Sequence, residues 1–319
     1  MKRLSKLGHT VAGRFTLGVL MAPMLLALCL ARNAAAAPNQ CTATSQHMLD
    51  SCRGGAQSDF SLALAKCDNL PTPGERQACG LQAQTDRTAG EELCVTNFDG
   101  RQAVCKDLGG APYDPIIDPA NFVAKIDNPF LPLKPGTTLI YEGMTDKGFE
   151  HIEFKVTRNT KVILGVTCVE VRDTVTLDGV LAEDTFDWFA QDKDGNVWYF
   201  GELSQEFQDG ELVSLEGSWE AGVDGAKPGI VMKAHPQVGN VYRQEFALGV
   251  AEDMAKVVSL NASVTTPLRS FSKVLQTRDF SPLKAGADEY KFYARGIGQV
   301  RSVDIATGNH VDLIRIKTE

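Results

Sequence analysis

The chain has 319 residues, 43% of them hydrophobic and 23% charged, with a formal net charge of −8. That balance excludes a disordered chain and a coiled coil, and the length allows one sizeable domain with a smaller companion. Lys2, Arg3, Lys6, Arg14 and Arg32 precede residue 38 without an acid, which leaves 27 of the 32 basic residues against all 40 acids, or −13; so acidic a body excludes nucleic acid, because phosphate binding needs a cationic face.

The first element is an address. A basic start, an apolar run from Phe15 to Leu30 and the small residues Ala34 to Ala37 follow the order of a secretory signal peptide, assigned to residues 1–36. Cleavage after Ala36 avoids placing Pro38 directly behind the scissile bond. The bulky Leu28 before Cys29 argues against lipoprotein processing, and Pro23 in a short run argues against an uncleaved anchor. No later run approaches the roughly 20 apolar residues of a membrane span. The expectation is a secreted or periplasmic protein with no transmembrane span once the signal is removed.

Residues 38–106 hold Cys41, Cys52, Cys67, Cys79, Cys94 and Cys105, with 10, 14, 11, 14 and 10 residues between successive ones. In an exported chain these read as three disulfides stapling a small helical domain that cannot bury enough apolar area alone. Zinc competes poorly, with one histidine (His47) and no close cysteine pair. The near-palindromic spacing hints at nesting but does not select among the possible pairings. Composition between the cysteines favours short helices stapled at their ends and broken at Pro71–Gly74. Residues 107–119, with three prolines and two glycines, read as a linker or crossing strap.

Residues 120–319 read as an antiparallel β domain. Runs rich in Val, Ile, Thr, Phe and Tyr recur at 137–142, 148–158, 161–175, 181–190, 196–206, 211–220, 241–248, 255–265, 271–279, 289–295, 298–305 and 310–317. Ile152, Phe154 and Val156 alternate with His151, Glu153 and Lys155, so one face is buried and one wet. Phe186–Phe189 and Val197–Phe200 are large on both faces, which places that hairpin at the centre of a strongly curved sheet. The expected fold class is therefore mainly β, a curved antiparallel sheet or open barrel, α+β overall with the helical segment. Ala251 to Val258 suits a short helix, and Cys168 reads as a buried, inert thiol.

No hydrolase, phosphate-loop or dinucleotide motif is present, so whether the chain is an enzyme stays open. Candidate catalytic groups are the carboxylates Asp184, Asp187, Glu216 and Glu220, which would serve as acid and base if they converge and otherwise form a solvated face. Trp188, Trp198, Trp219, Arg243 and Glu245 are candidate ligand-binding residues, a mixed aromatic and charged inventory suited to a polar pocket. Arg243 could hold an anionic group or pair with Glu245. Asp192, Asp194 and Asn196 begin like a calcium loop, but Leu203 stands where a bidentate acid is needed, so a plain hairpin turn competes. No cofactor is otherwise expected, and His151, His235 and His310 are scattered.

The strings Asp127–Thr137 (DNPFLPLKPGT), Glu183–Asp192 (EDTFDWFAQD), Asn196–Glu202 (NVWYFGE) and Tyr293–Gly298 (YARGIG) resemble a family of exported bacterial proteins without an established activity. The last string also resembles the tail of LolA-like and TapB-like curved-sheet proteins. The resemblance implies an extracytoplasmic curved-sheet module and supplies no catalytic residue; Arg295 departs from an expected proline, which bears on the turn. Two functions follow as expectations: a non-catalytic sheet binding a small or lipid-like ligand or a surface partner, and a carboxylate-dependent extracellular hydrolase or lyase, acting for instance on polysaccharide.

Overall fold

The computed structural model describes residues 39–319, and the expected signal peptide lies outside the described residues. Two long helices come first, α1 (Gln40–Asp68) and α2 (Pro73–Leu108), in place of the short ones expected. Their starts are written in the sequence. Asn39 accepts a bond from the Thr42 N–H at 2.9 Å, and Thr72 with Glu75 forms a reciprocal capping box with Pro73 just inside it.

The disulfides are Cys41–Cys105, Cys52–Cys94 and Cys67–Cys79, a nested set. Successive cysteines within a helix lie 11 or 15 residues apart, close to three and four turns, so each helix presents its three on one side. This is why the helices run long: rungs along the whole hairpin offset the interior glycines that would otherwise favour unwinding. Between Arg53 and Leu93 only Cys67 and Ala83 are buried, so covalent links rather than apolar burial hold this part together.

An extended strap follows α2, and then the strands. Phe122–Val123 (β1) precedes five long strands: Thr137–Thr145 (β2), Gly148–Ile163 (β3), Val166–Leu177 (β4), Val180–Asp192 (β5) and Val197–Leu203 (β6). Six short ones come next: Glu206–Gln208 (β7), Glu211–Ser214 (β8), Trp219–Glu220 (β9), Lys227–Met232 (β10), Val241–Arg243 (β11) and Glu245–Phe246 (β12). Met254–Thr265 (β13), Ser270–Phe280 (β14), Glu289–Ala294 (β15), Gly298–Asp304 (β16) and His310–Thr318 (β17) complete the sheet. Neighbours pair antiparallel, β17 returns to β2, and β10 pairs with β6, so the sheet nearly closes into a barrel.

Three details differ from expectation. The run 161–175 is split by a turn at Leu164–Gly165, both with positive φ, which suits a tight hairpin whose twist matches its strands. Ala251–Val258 enters β13 rather than a helix, because β11 and β14 flank it and satisfy its backbone. Strand β10, which closes the seam, was not anticipated, since Pro228 and Gly229 argue against a strand. Here they serve the seam. A Cβ on Gly229 would stand 2.2 Å from the Gln244 carbonyl oxygen, so only glycine lets the two backbones approach.

The base of the helical hairpin docks on the barrel through a buried ion pair. Arg101 donates to both oxygens of Glu252, Nη2–Oε1 at 2.7 Å and Nε–Oε2 at 2.9 Å, and the Gly249 N–H adds a bond to Oε1 at 2.8 Å. Their side chains are 8% and 1% exposed, which makes this a desolvated contact and not a surface pair.

Candidate functional site

Strand register decides what the barrel interior contains. Directly opposed residues share a face. Leu139, Phe154, Asp173 and Thr185 form one row across β2 to β5, and Val156, Val171, Asp187 and Glu202 form another across β3 to β6. Across the barrel, Val257, Thr277, Lys291 and Ser302 make a third row. The rows are apolar on β2 and β3 and, apart from Val171 and Val257, polar on the staves beyond.

These rows surround a cavity of about 360 Å³. Leu139, Ile152, Phe154, Val156 and Phe189 give its apolar side; Asp173, Tyr199, Glu245, Asp253 and Lys291 give its polar side. One end is covered by Leu131, Pro132 and Leu133. That cover is pinned by Asn128, buried, whose side chain donates to the Gly195 and Lys233 carbonyls at 2.8 and 3.2 Å and accepts from the Phe130 N–H at 2.8 Å. Gln191 accepts from the Asp127 and Asn128 N–H groups at 2.9 and 2.8 Å. The Gly296 N–H donates to the Pro129 carbonyl at 2.7 Å, and Arg295 lies over the Phe130 ring. Residues of all four strings meet at this end, Gln191 pairing with Val197, and with Arg295 in place the turn is tight, the Ile297 N–H donating to the Ala294 carbonyl.

Electrostatically the polar side is dominated by buried carboxyls. Asp187 accepts a short hydrogen bond from the Tyr199 hydroxyl, and burial pushes its carboxyl up to about 7 against the pull of that bond. Burial, with the Asp187 charge, pushes Glu202 up to about 8. Glu245 and Asp173 are held well above the carboxylate range for the same first reason, and Asp253 is raised. Asp173 Oδ1 has no hydrogen-bond partner. Lys291 is the cation among them, 3.4 Å from Asp279 and 3.9 Å from Glu289. Its side chain keeps 30% of its surface, because that surface faces the cavity.

The expected site residues are divided by this geometry. Glu245 lines the cavity, and Asp187 stands behind Tyr199. Asp184 takes the opposite face of β5, where Arg172 grips it with two bonds of 2.7 Å. Glu220 pairs with Lys161 at 2.7 Å, and Glu216 is an exposed turn residue. The four carboxylates thus do not share a cleft. Trp188 is buried beneath Lys161, Trp219 packs edge-on to Tyr199, and Trp198 donates to Asp192 at 2.8 Å. Asp192 also accepts two bonds from Asn196, at 2.8 and 2.9 Å, while Asp194 is exposed; the turn's oxygens face N–H donors rather than a common point. Among the described residues no three His, Cys, Asp or Glu groups are placed to hold a metal ion. Arg243 does not pair with Glu245; it faces a second cavity behind the β10–β12 wall. Cys168 is fully buried and its thiol is pushed up to about 12 by that burial, so it is not a nucleophile near neutrality.

Asp173 and Lys291 were not singled out from the sequence as site residues. The available signal was parity: Lys291 shares its face with Glu289 and Tyr293, as Ile152 does with Phe154. What parity lacks is the pairing that sets those faces opposite each other.

No protein-family model matches the chain, and no curated protein matches it. A solved structure of a Parabacteroides distasonis protein, described as a candidate lipoprotein, is similar over 59% of this chain and 98% of its own, at 14% identity and a TM-score of 0.28. A likeness that loose leaves the fold to be read from the strands themselves, and the family resemblance rests on its four strings. Among the described residues no helix is long and apolar enough to cross a membrane.

Proposed function

We propose that the barrel is the ligand-binding module of an exported protein and holds a small uncharged amphiphile. Its apolar body would lie against Leu139, Phe154 and Val156, and a hydroxyl-bearing head would face Tyr199, Glu245 and Lys291. What carries the reading is the division of one cavity into an apolar and a polar side. About 360 Å³ falls within the range of small-molecule sites, roughly 300–1,000 Å³. Carboxyls that keep their protons both donate and accept, so they suit a hydroxylated head, and the orphaned Asp173 oxygen adds an acceptor. The three disulfides accord with an oxidising compartment.

Native mass spectrometry of protein purified without detergent should show a retained adduct, and 1-decanoylglycerol should bind saturably. Val156→Trp, which fills the cavity, should abolish both. Absence of any adduct and of saturable binding in the wild type, or equal binding in Val156→Trp, would sink the reading.

A carboxylate-dependent hydrolase or lyase is the second reading, favoured by the Asp187–Tyr199–Glu202 group. Carboxyls raised to about 7 and about 8 beside a phenol suit proton transfer near neutrality. Turnover of aryl glycosides or polysaccharide that disappears in Asp187→Asn would establish it; binding without turnover leaves the first.

A further inference from the structure

The second cavity, about 270 Å³, lies where the base of the helical hairpin meets the barrel. Lys227, Arg243 and Phe246 face it, while Gln244 and Glu245 of the same wall face the barrel interior. Its charge balance is opposite to that of the chain. Three cations, Arg101, Lys227 and Arg243, line it against one carboxylate, Glu252. Glu252 is already satisfied by Arg101 and the Gly249 N–H. Lys227 bonds the Tyr113 carbonyl at 2.7 Å and the exposed Asp114 carboxylate at 2.8 Å.

Arg243 is left over. Its guanidinium sits beside the Tyr113–Phe246 ring pair, 5.6 and 4.8 Å from their centres, and its Nε has no hydrogen-bond partner. It forms no ion pair among the described residues, and its side-chain N–H groups meet only the Met254 sulfur, 4.0 Å from Nη1. Burial lowers its affinity for the proton, the mark of a cation short of both water and counter-charge. The parallel N–H groups along a guanidinium edge match a carboxylate or phosphate. Around it Val104, Pro112, Leu248 and Pro282 offer apolar surface with no polar requirement.

We infer that this cavity is a second binding site, distinct from the barrel interior, for an amphiphile with one anionic head, a carboxylate or phosphate monoester, received by Arg243. The uncharged ligand proposed for the barrel and this one differ in head group, so the two sites can be told apart.

Isothermal titration of the full mature chain with decanoate, decyl phosphate, decanol and inorganic phosphate tests it. One of the two charged amphiphiles should bind saturably, with the tighter identifying the head, and decanol should bind at least tenfold more weakly. Inorganic phosphate should bind more weakly than decyl phosphate, since it lacks the apolar body. Arg243→Gln should weaken binding by about 10- to 100-fold, the usual size of a charge-assisted bond, while Arg243→Lys retains part of it. Thr44→Trp, which fills the cavity from α1 and leaves Arg243 in place, should abolish binding even if the Arg243 variants fold poorly. Val156→Trp should leave it unchanged. Equal affinity for decanol, unaltered binding in a folded Arg243→Gln, or loss in Val156→Trp with retention in Thr44→Trp would each overturn the inference.

Discussion

Asp187 is stripped of water and held by Tyr199, and both facts bear on when the protein is most stable. Its carboxyl titrates near 7 in the fold and, like any free aspartate, near 4 when unfolded. Between those values the unfolded chain binds fewer protons than the folded one, so stability falls as pH rises. Glu202, raised to about 8, acts in the same direction. Unfolding midpoints in urea should be highest near pH 4.5 to 5 and decline to pH 8, with a slope of at most about 1.4 kcal/mol per pH unit for each such group. Asp187→Asn keeps an acceptor for Tyr199 and should flatten that slope. A stability that rises between pH 5 and 8 would contradict this account.

At the scale of elements, the helical hairpin depends on its rungs. With its outer neighbour in place, Cys52–Cys94 closes a ring of about 22 residues, for which chain entropy gives roughly 3 kcal/mol. Removing it as Cys52→Ala with Cys94→Ala should lower the helical melting transition, followed by circular dichroism at 222 nm, and leave the aromatic signal of the barrel in place. Coincident loss of both signals would show that the hairpin and barrel unfold as one.

The rungs also mark how far the chain could be read before its fold was seen. Cysteine spacing carried nesting as a hint because helical turns and covalent pairing obey the same period, and β-branched runs located most strands. Strand β10 escaped because its Pro228 and Gly229 act through a neighbour, the Gln244 backbone, that lies 15 residues away in sequence. For the same reason Glu245 could be named but not its companions. Asp173 and Lys291 become site residues only through registers that bring Phe154 and Thr277 beside them.

On the scale of the whole molecule, Arg101 and Glu252 join the hairpin to the barrel. Arg101→Met leaves a buried carboxylate without its cation and should cost about 3–5 kcal/mol, measured as a loss of global stability. Adding Glu252→Leu should recover most of that loss; a double variant as unstable as the single would show that the pair contributes more than charge compensation. Beyond this joint the hairpin stands free of the sheet. From Cys52 to Asp68, α1 extends about 24 Å at 1.5 Å per residue, braced by two further cross-links. Mechanically it is a beam clamped at one end. A push on the turn at Pro71–Gly74 is carried down it with leverage rather than absorbed by bending, and the clamp that receives the torque, Arg101 against Glu252, is also a wall of the chamber into which Arg243 projects.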